Sequence, residues 1–283
     1  MASQSIHLKT ALVMVVVFLA LVGLHLWSGR EEETGDEGGL PTQSSEIRIR
    51  QGDEIVEIGS GQALSRAELG ELLQSRMRLL RSGETNERRV AAIQIAHMAT
   101  NERRRDDLRQ LGASRRQELQ GALLEGLSSG DRVVAANCRE ALLGLWRTSD
   151  NSAATRLVDR AVSAYEAGQY DRALEIMDVV ERGSDSVPPD LYRVRAEIYL
   201  RQDRPAEALR QCGRAARAMP QNFAALYTLS RVFLAMDEEQ KARKALEGAL
   251  KLYPTYPEAL ELRRRLQESE QGRSGFRTFR GTA

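Results

Sequence analysis

The sequence predicts an all-α chain: a solenoid of stacked helix pairs, preceded by a helical region, a small β-hairpin and a single N-terminal transmembrane helix. Three observations predict it. Ala208, Cys212, Ala215 and Pro220 recur 34 residues on as Ala242, Leu246, Ala249 and Pro254, and Ala173, Met177 and Val180 hold the equivalent places one copy earlier. A fixed period in this range marks helix pairs that cannot bury their apolar faces alone and must stack. Residues 11–27 run for seventeen positions without a charge. Between the two, apolar residues recur at helical spacing, as in Leu119, Ala122, Leu123 and Leu127.

Residues 1–10 form a short leading tail. The segment 11–27, at about 1.5 Å per residue, reaches about 25 Å, near the short limit for a bilayer. Lys9 and Arg30 flank it, and Trp27 suits the headgroup level. A cleaved signal peptide is the competing reading, but no small-x-small pair precedes a plausible cut. An uncleaved signal-anchor is therefore expected, with the bulk of the chain exported to a periplasmic side. The Arg30, Arg48 and Arg50 that follow do not endorse that orientation. Residues 28–45 carry Glu31, Glu32, Glu33, Asp36 and Glu37 with almost nothing apolar, the composition of a disordered acidic linker.

Within 46–150, Ile47, Ile49, Ile55, Val56 and Ile58 flank Gln51-Gly52-Asp53, a two-stranded hairpin pattern. Ser65 with Glu68 three residues on is a capping box that opens a helix. Further helices are expected at about 86–99, 102–111, 115–128 and 132–148. Ala91, Ile95 and Met98 are echoed 47 residues on by Cys138, Leu142 and Leu145, which is similar to a HEAT-type helical repeat; a helical cap tailored to the repeat array is the alternative. Trp146 to Asp150 is expected to join these helices to the array as one continuous solenoid. The arginines here are interleaved with Glu84, Glu87, Asp106, Asp107 and Glu118, and the chain is near neutral at +1. Intrahelical pairing accounts for them and nucleic-acid binding is disfavoured.

In 154–256, small residues let paired helices approach: Ala161, Ala173, Ala196, Ala208, Ser230 and Ala242. Polar turns at 167–169, 202–204 and 237–239 separate each pair, and Pro220 and Pro254 stop second helices. These residues, and Tyr165-Glu166-Ala167-Gly168-Gln169-Tyr170-Asp171-Arg172-Ala173 above all, resemble the tetratricopeptide repeat. Three repeats are followed by a capping helix at 257–268 and a disordered tail at 269–283. The resemblance departs where the family usually has tryptophan: Leu157, Tyr192 and Leu226 stand there, and the first copy lacks the closing proline.

The resemblance implies a superhelix whose first helices line a concave trough that holds protein or peptide segments. Its groove positions fall on Val158, Val162, Tyr165 and Glu166, on Asp190, Arg193, Glu197, Leu200 and Arg201, and on Tyr227, Arg231 and Leu234. Tyr165, Glu166, Arg193, Glu197, Arg201, Tyr227 and Arg231 are the partner-binding candidates, and the arginines among them suit a segment carrying carboxylates. Val158 and Val162 replace the lysine and asparagine with which chaperone adaptors of the family clamp a terminal carboxylate.

Patterns for chemistry are weak. Glu54 to Gly61 resembles the first motif of S-adenosylmethionine-dependent methyltransferases, but Ala63 replaces its third glycine and no strand–helix alternation follows. An enzyme using Gly59-Ser60-Gly61 is the remote alternative. His7, His25 and His97 are scattered, and Cys138 and Cys212 fall on apolar helix sides as small hydrophobes, with a disulfide between them left open. No catalytic residue, metal or cofactor is expected. The expected function is a membrane-tethered protein–protein interaction scaffold, and the resemblance implies a bacterial envelope assembly as its setting. An organelle-surface receptor with cytosolic repeats is the alternative.

Overall fold

The computed structural model describes residues 47–51, 54–58, 65–184 and 187–280. The tail at 1–10, the anchor at 11–27, the linker at 28–45 and the Gly59-Ser60-Gly61 turn lie outside the described residues. Among the described residues, no helix is long and apolar enough to cross a membrane. Two strands, β1 (Ile47–Gln51) and β2 (Glu54–Ile58), pair antiparallel with Ile47 opposite Ile58 and Ile49 opposite Val56.

Five helices make the middle body. In α1 (Arg66–Ser82) the Ser65 hydroxyl accepts from the Glu68 N–H, and the Glu68 carboxylate accepts from the Ser65 N–H at 2.8 Å. These bonds satisfy donors that the first helical turn leaves unpaired. Helices α2 (Thr85–Thr100), α3 (Glu102–Arg109), α4 (Ala113–Leu127) and α5 (Arg132–Trp146) follow. The Asp131 carboxylate caps α5 by accepting from Val133 N–H at 2.8 Å. Helix α1 packs on α2 and α4 on α5, and the two hairpins stack α1 on α4 and α2 on α5. The echoed stripes thus lie on two helices that touch. Leu69, Ile95, Leu119, Leu123 and Leu142 are fully buried between them.

The array comprises α6 (Ser152–Glu166) with α7 (Tyr170–Gly183), α8 (Asp190–Arg201) with α9 (Pro205–Ala218), and α10 (Phe223–Ala235) with α11 (Glu239–Leu252). Helix α12 (Pro257–Arg280) closes it and runs well past residue 268, where a disordered tail was expected. Ala161, Ala173, Ala196, Ala208, Ser230 and Ala242 are all 0% exposed, as helix–helix contact at small residues requires. Each intra-pair turn needs one left-handed residue: Gly168 (φ 74°), Asp203 (φ 56°) and Asp237 (φ 58°) occupy that place in turn. Aspartate tolerates this conformation better than most side chains. Replacing Ala208 by leucine is expected to cost about 1–3 kcal/mol by overpacking, read as a lower urea midpoint.

The continuous solenoid is corrected. In the second repeat, Leu191 and Ile198 are fully buried, and the Arg195 guanidinium pairs with Asp178 and Glu181 of the preceding α7. The same positions of the first repeat hold Arg156, Arg160 and Ser163, all exposed. A solvated leading edge cannot take a preceding helix pair by apolar stacking. The middle body instead shares one apolar cluster with the far end of the array, through Phe223, Leu246, Leu250, Tyr253, Tyr256 and Leu266. Two further clusters lie inside the array, one running from the first repeat into α8 through Leu191, Val194 and Ile198, the other joining Ala196, Ala208 and Cys212 to Val232 of α10.

Candidate functional site

The inward positions of α6, α8 and α10 form three tiers. Val158, Arg193 and Tyr227 make the first, Val162, Glu197 and Arg231 the second, and Tyr165, Leu200 and Leu234 the third. They align because the repeats differ in length by one residue at most, so each helix presents the same face.

The lower tiers are filled from within. Asp190, at the start of α8, is 0% exposed. The Arg193 guanidinium forks onto it, with Nη2 donating to Oδ2 at 2.7 Å, and Arg147 Nε donates to Oδ2 at 3.3 Å. Burial works to raise the Asp190 carboxyl, and Arg193 and Arg147 outweigh it, holding it below the usual carboxylate range. The same pair, against the opposing effect of burial, raises Arg193. Glu197, 6% exposed, accepts from Thr228 Oγ1 at 2.7 Å and Arg231 Nη1 at 2.5 Å. Burial opposes the charge on Arg231, and Glu197 more than restores it.

Beside these pairs runs an aromatic ladder. Trp146, 1% exposed at the end of α5, lies 5.5 Å from Phe223 between ring centroids. Phe223 meets Tyr253 and Tyr256 edge-on, each at 5.4 Å, and Tyr256 lies 5.2 Å from Tyr227. Arg231 sits over the Tyr227 ring at 5.8 Å. Such aromatic pairs contribute beyond their buried area.

The expected open trough is therefore half closed. Arg193 and Glu197 are brought together with Arg231 and Tyr227, but as an internal ion-pair network. Two of the arginines meant for carboxylates of a partner already hold carboxylates of this chain. Tyr165 remains half-buried with its ring 6.1 Å from Tyr170, and Glu166 and Arg201 are exposed. Leu200 and Leu234 are half-buried beside them. The open part is this outer rim. Trp146, Arg147 and Tyr256 were missed as groove-lining residues. Trp146 meets Phe223 across 77 positions of sequence, and no local pattern carries such a contact.

Cys138 and Cys212 are free and buried, and desolvation pushes each thiol up to about 12, so neither is a nucleophile at neutral pH. Among the described residues, no group of three or more metal-ligating side chains gathers.

The family model described as tetratricopeptide repeat matches residues 199–266, so that stretch is similar to repeats of that kind. A curated relative, "DnaJ homolog subfamily C member 3" of Gallus gallus, is 24% identical over 123 residues, 41% of this chain. The chain spans about a quarter (24%) of that relative's length. Among solved structures, "First TPR of Spaghetti (RPAP3) bound to HSP90 peptide SRMEEVD" is similar at 25% identity and a TM-score of 0.38, covering 42% of this chain and 93% of that one. "Crystal structure of MamA protein" is similar at 11% identity and a TM-score of 0.33, covering 68% and 97%.

Proposed function

We propose that this chain is a protein–protein interaction adaptor. Its repeats hold a segment of a partner protein at the outer rim of the concave face, and residues 11–27 tether it to a membrane. The observation that carries the reading is the contrast between tiers. Val158, Val162, Asp190 and Glu197 are sealed, while Tyr165, Leu200, Arg201 and Leu234 keep surface to offer. Tyrosine and arginine beside leucine are the side chains that anchor interfaces.

The chemistry of the rim narrows the partner. Arg201 is its exposed cation, so the segment brings an apolar or aromatic side chain to Tyr165, Leu200 and Leu234 and a carboxylate to Arg201. A clamp for a terminal carboxylate finds no support, because the buried Val158 and Val162 offer it no charge. The seventeen uncharged residues supply the tether in this reading, which sets the repeats on the exported side of a bacterial envelope membrane.

Reversing Arg193 or Arg231 is a poor test, since each holds an internal carboxylate. The double variant Tyr165→Ala/Arg201→Glu is expected to lower partner recovery from native membranes about tenfold, equal to about 1.4 kcal/mol. Its circular dichroism should match the unmodified chain. Undiminished recovery would remove the rim as the binding surface. Protease protection of intact membranes tests which side the repeats occupy.

A further inference from the structure

The solvated edge of the first repeat has an occupied counterpart one repeat further on. Thirty-five residues after Arg156, Arg160 and Ser163 stand Leu191, Arg195 and Ile198, and there a helix covers the edge. The Arg195 guanidinium, 7% exposed at its side chain, takes Asp178 of α7 at 2.6 Å and Glu181 at 2.9 Å. Arg214 of α9 closes on the same Glu181. Counted back by the same interval, Arg195 falls on Arg160 and Arg214 on Val179. Residue type at this place follows what it meets. In the third repeat Leu229 stands there and packs against an apolar cluster with Cys212 of α9. An arginine at this place therefore calls for carboxylates on the helix that covers it.

The first-repeat edge has the other parts of a helix seat. A cleft of about 250 Å³ lies between α6 and α7, lined by Arg160, Ser163, Ala164, Ala167, Arg172 and Ile176. Arg172, Ile176 and Val179 recur at helical spacing on one face of α7. Ile176 is half-buried, and Val179 is 51% exposed, so the edge offers apolar surface beside its cations. Among the described residues, neither Arg156 nor Arg160 has a carboxylate partner. Asp159, the acid between them in sequence, is held by Arg105 at 2.7 Å. A purely apolar helix laid here would desolvate two cations without pairing them, which is costly. A helix carrying acids would reproduce the seat that Arg195 already provides.

We propose that this edge is a second docking surface, distinct from the outer rim, for an amphipathic helix of a partner protein that carries two carboxylates three residues apart. The helix lies against α6 as α7 lies against α8. Its carboxylates fork onto Arg160, with Arg156 and Arg172 flanking, and an apolar residue covers Ile176 and Val179. The partner thereby extends the array by one helix.

The probe is the sequence of α7 itself, residues 170–183, as a labelled peptide stapled between the places of Arg172 and Ile176, away from its two acids. Fluorescence anisotropy with the whole chain in mild detergent is expected to show saturable binding. Arg156→Glu/Arg160→Glu in the protein, or Asp178→Asn/Glu181→Gln in the peptide, is expected to weaken it about tenfold. A peptide with Asp178→Lys/Glu181→Lys is expected to bind the Arg156→Glu/Arg160→Glu protein better than the parent. The rim variant Tyr165→Ala/Arg201→Glu is expected to bind the probe as the parent does, which separates this edge from the rim. Equal affinity of the neutral and acidic peptides, or a loss seen with the rim variant and not with the edge variant, overturns the proposal. So does binding that disappears in nanodiscs of phosphatidylglycerol and persists in those of phosphatidylcholine, which assigns the edge to lipid. Self-association of the parent that Arg156→Glu/Arg160→Glu abolishes, read by sedimentation velocity, assigns it to a second copy and overturns the proposal equally.

Discussion

Asp190→Ala is expected to lower the free energy of unfolding by about 3–5 kcal/mol, measured by urea denaturation, because it leaves Arg193 and Arg147 without their carboxylate. Asp190 is fully buried, and Arg193 is 13% exposed at its side chain, so water cannot replace what is lost. Asp190→Asn preserves shape and should be nearly as damaging. An exposed pair such as Arg264 with Glu261 is worth little by comparison. The carboxyl of Asp190 is held below its unfolded value near 3.9. Its contribution is therefore present in full above about pH 4 and is lost as pH falls through the folded value. Acid titration followed by circular dichroism should show the chain losing stability in that window, and Asp190→Asn should flatten the slope there. A variant as stable as the parent would mean that the network is solvated in solution.

Gly144→Val is expected to cost about 3 kcal/mol, the upper end of overpacking, and to lower Tm by about 6–12 °C. A Cβ at 144 would stand 2.3 Å from the Ala99 carbonyl oxygen and 2.7 Å from its carbon. Both obstacles are backbone, so no rotamer relieves them, and α2 and α5 must separate. Gly121 is the control. It lies in α4 with nothing within 4 Å of its would-be Cβ, so Gly121→Ala should stabilise by about 0.5–1 kcal/mol through helix propensity. Thermal unfolding of the two variants together separates contact from propensity.

Several local features were legible because their causes are local. The Ser65–Glu68 capping box, the helix bounds of the repeats and the small-residue contacts each follow from neighbours in sequence or from the repeat period. The termination of α12 was misjudged from glycines and arginines between 271 and 280, which end no helix here. Of the groove residues, Tyr165, Glu166 and Arg201 sit on the accessible rim. Arg193 and Glu197 do not, because their exposure is decided by Asp190, Thr228, Arg231 and the end of α5.

The sequence by itself determined that helix pairs stack from Ala154 onward, since alanine at a fixed period permits close approach and proline sets the stops. Tertiary structure alone decided where the solenoid ends and what its hollow contains. Arg156, Arg160 and Ser163 refuse an apolar neighbour, and Trp146 meets Phe223 only in the folded chain. Periodicity records what each repeat shares with the next, whereas closure depends on residues that belong to no repeat.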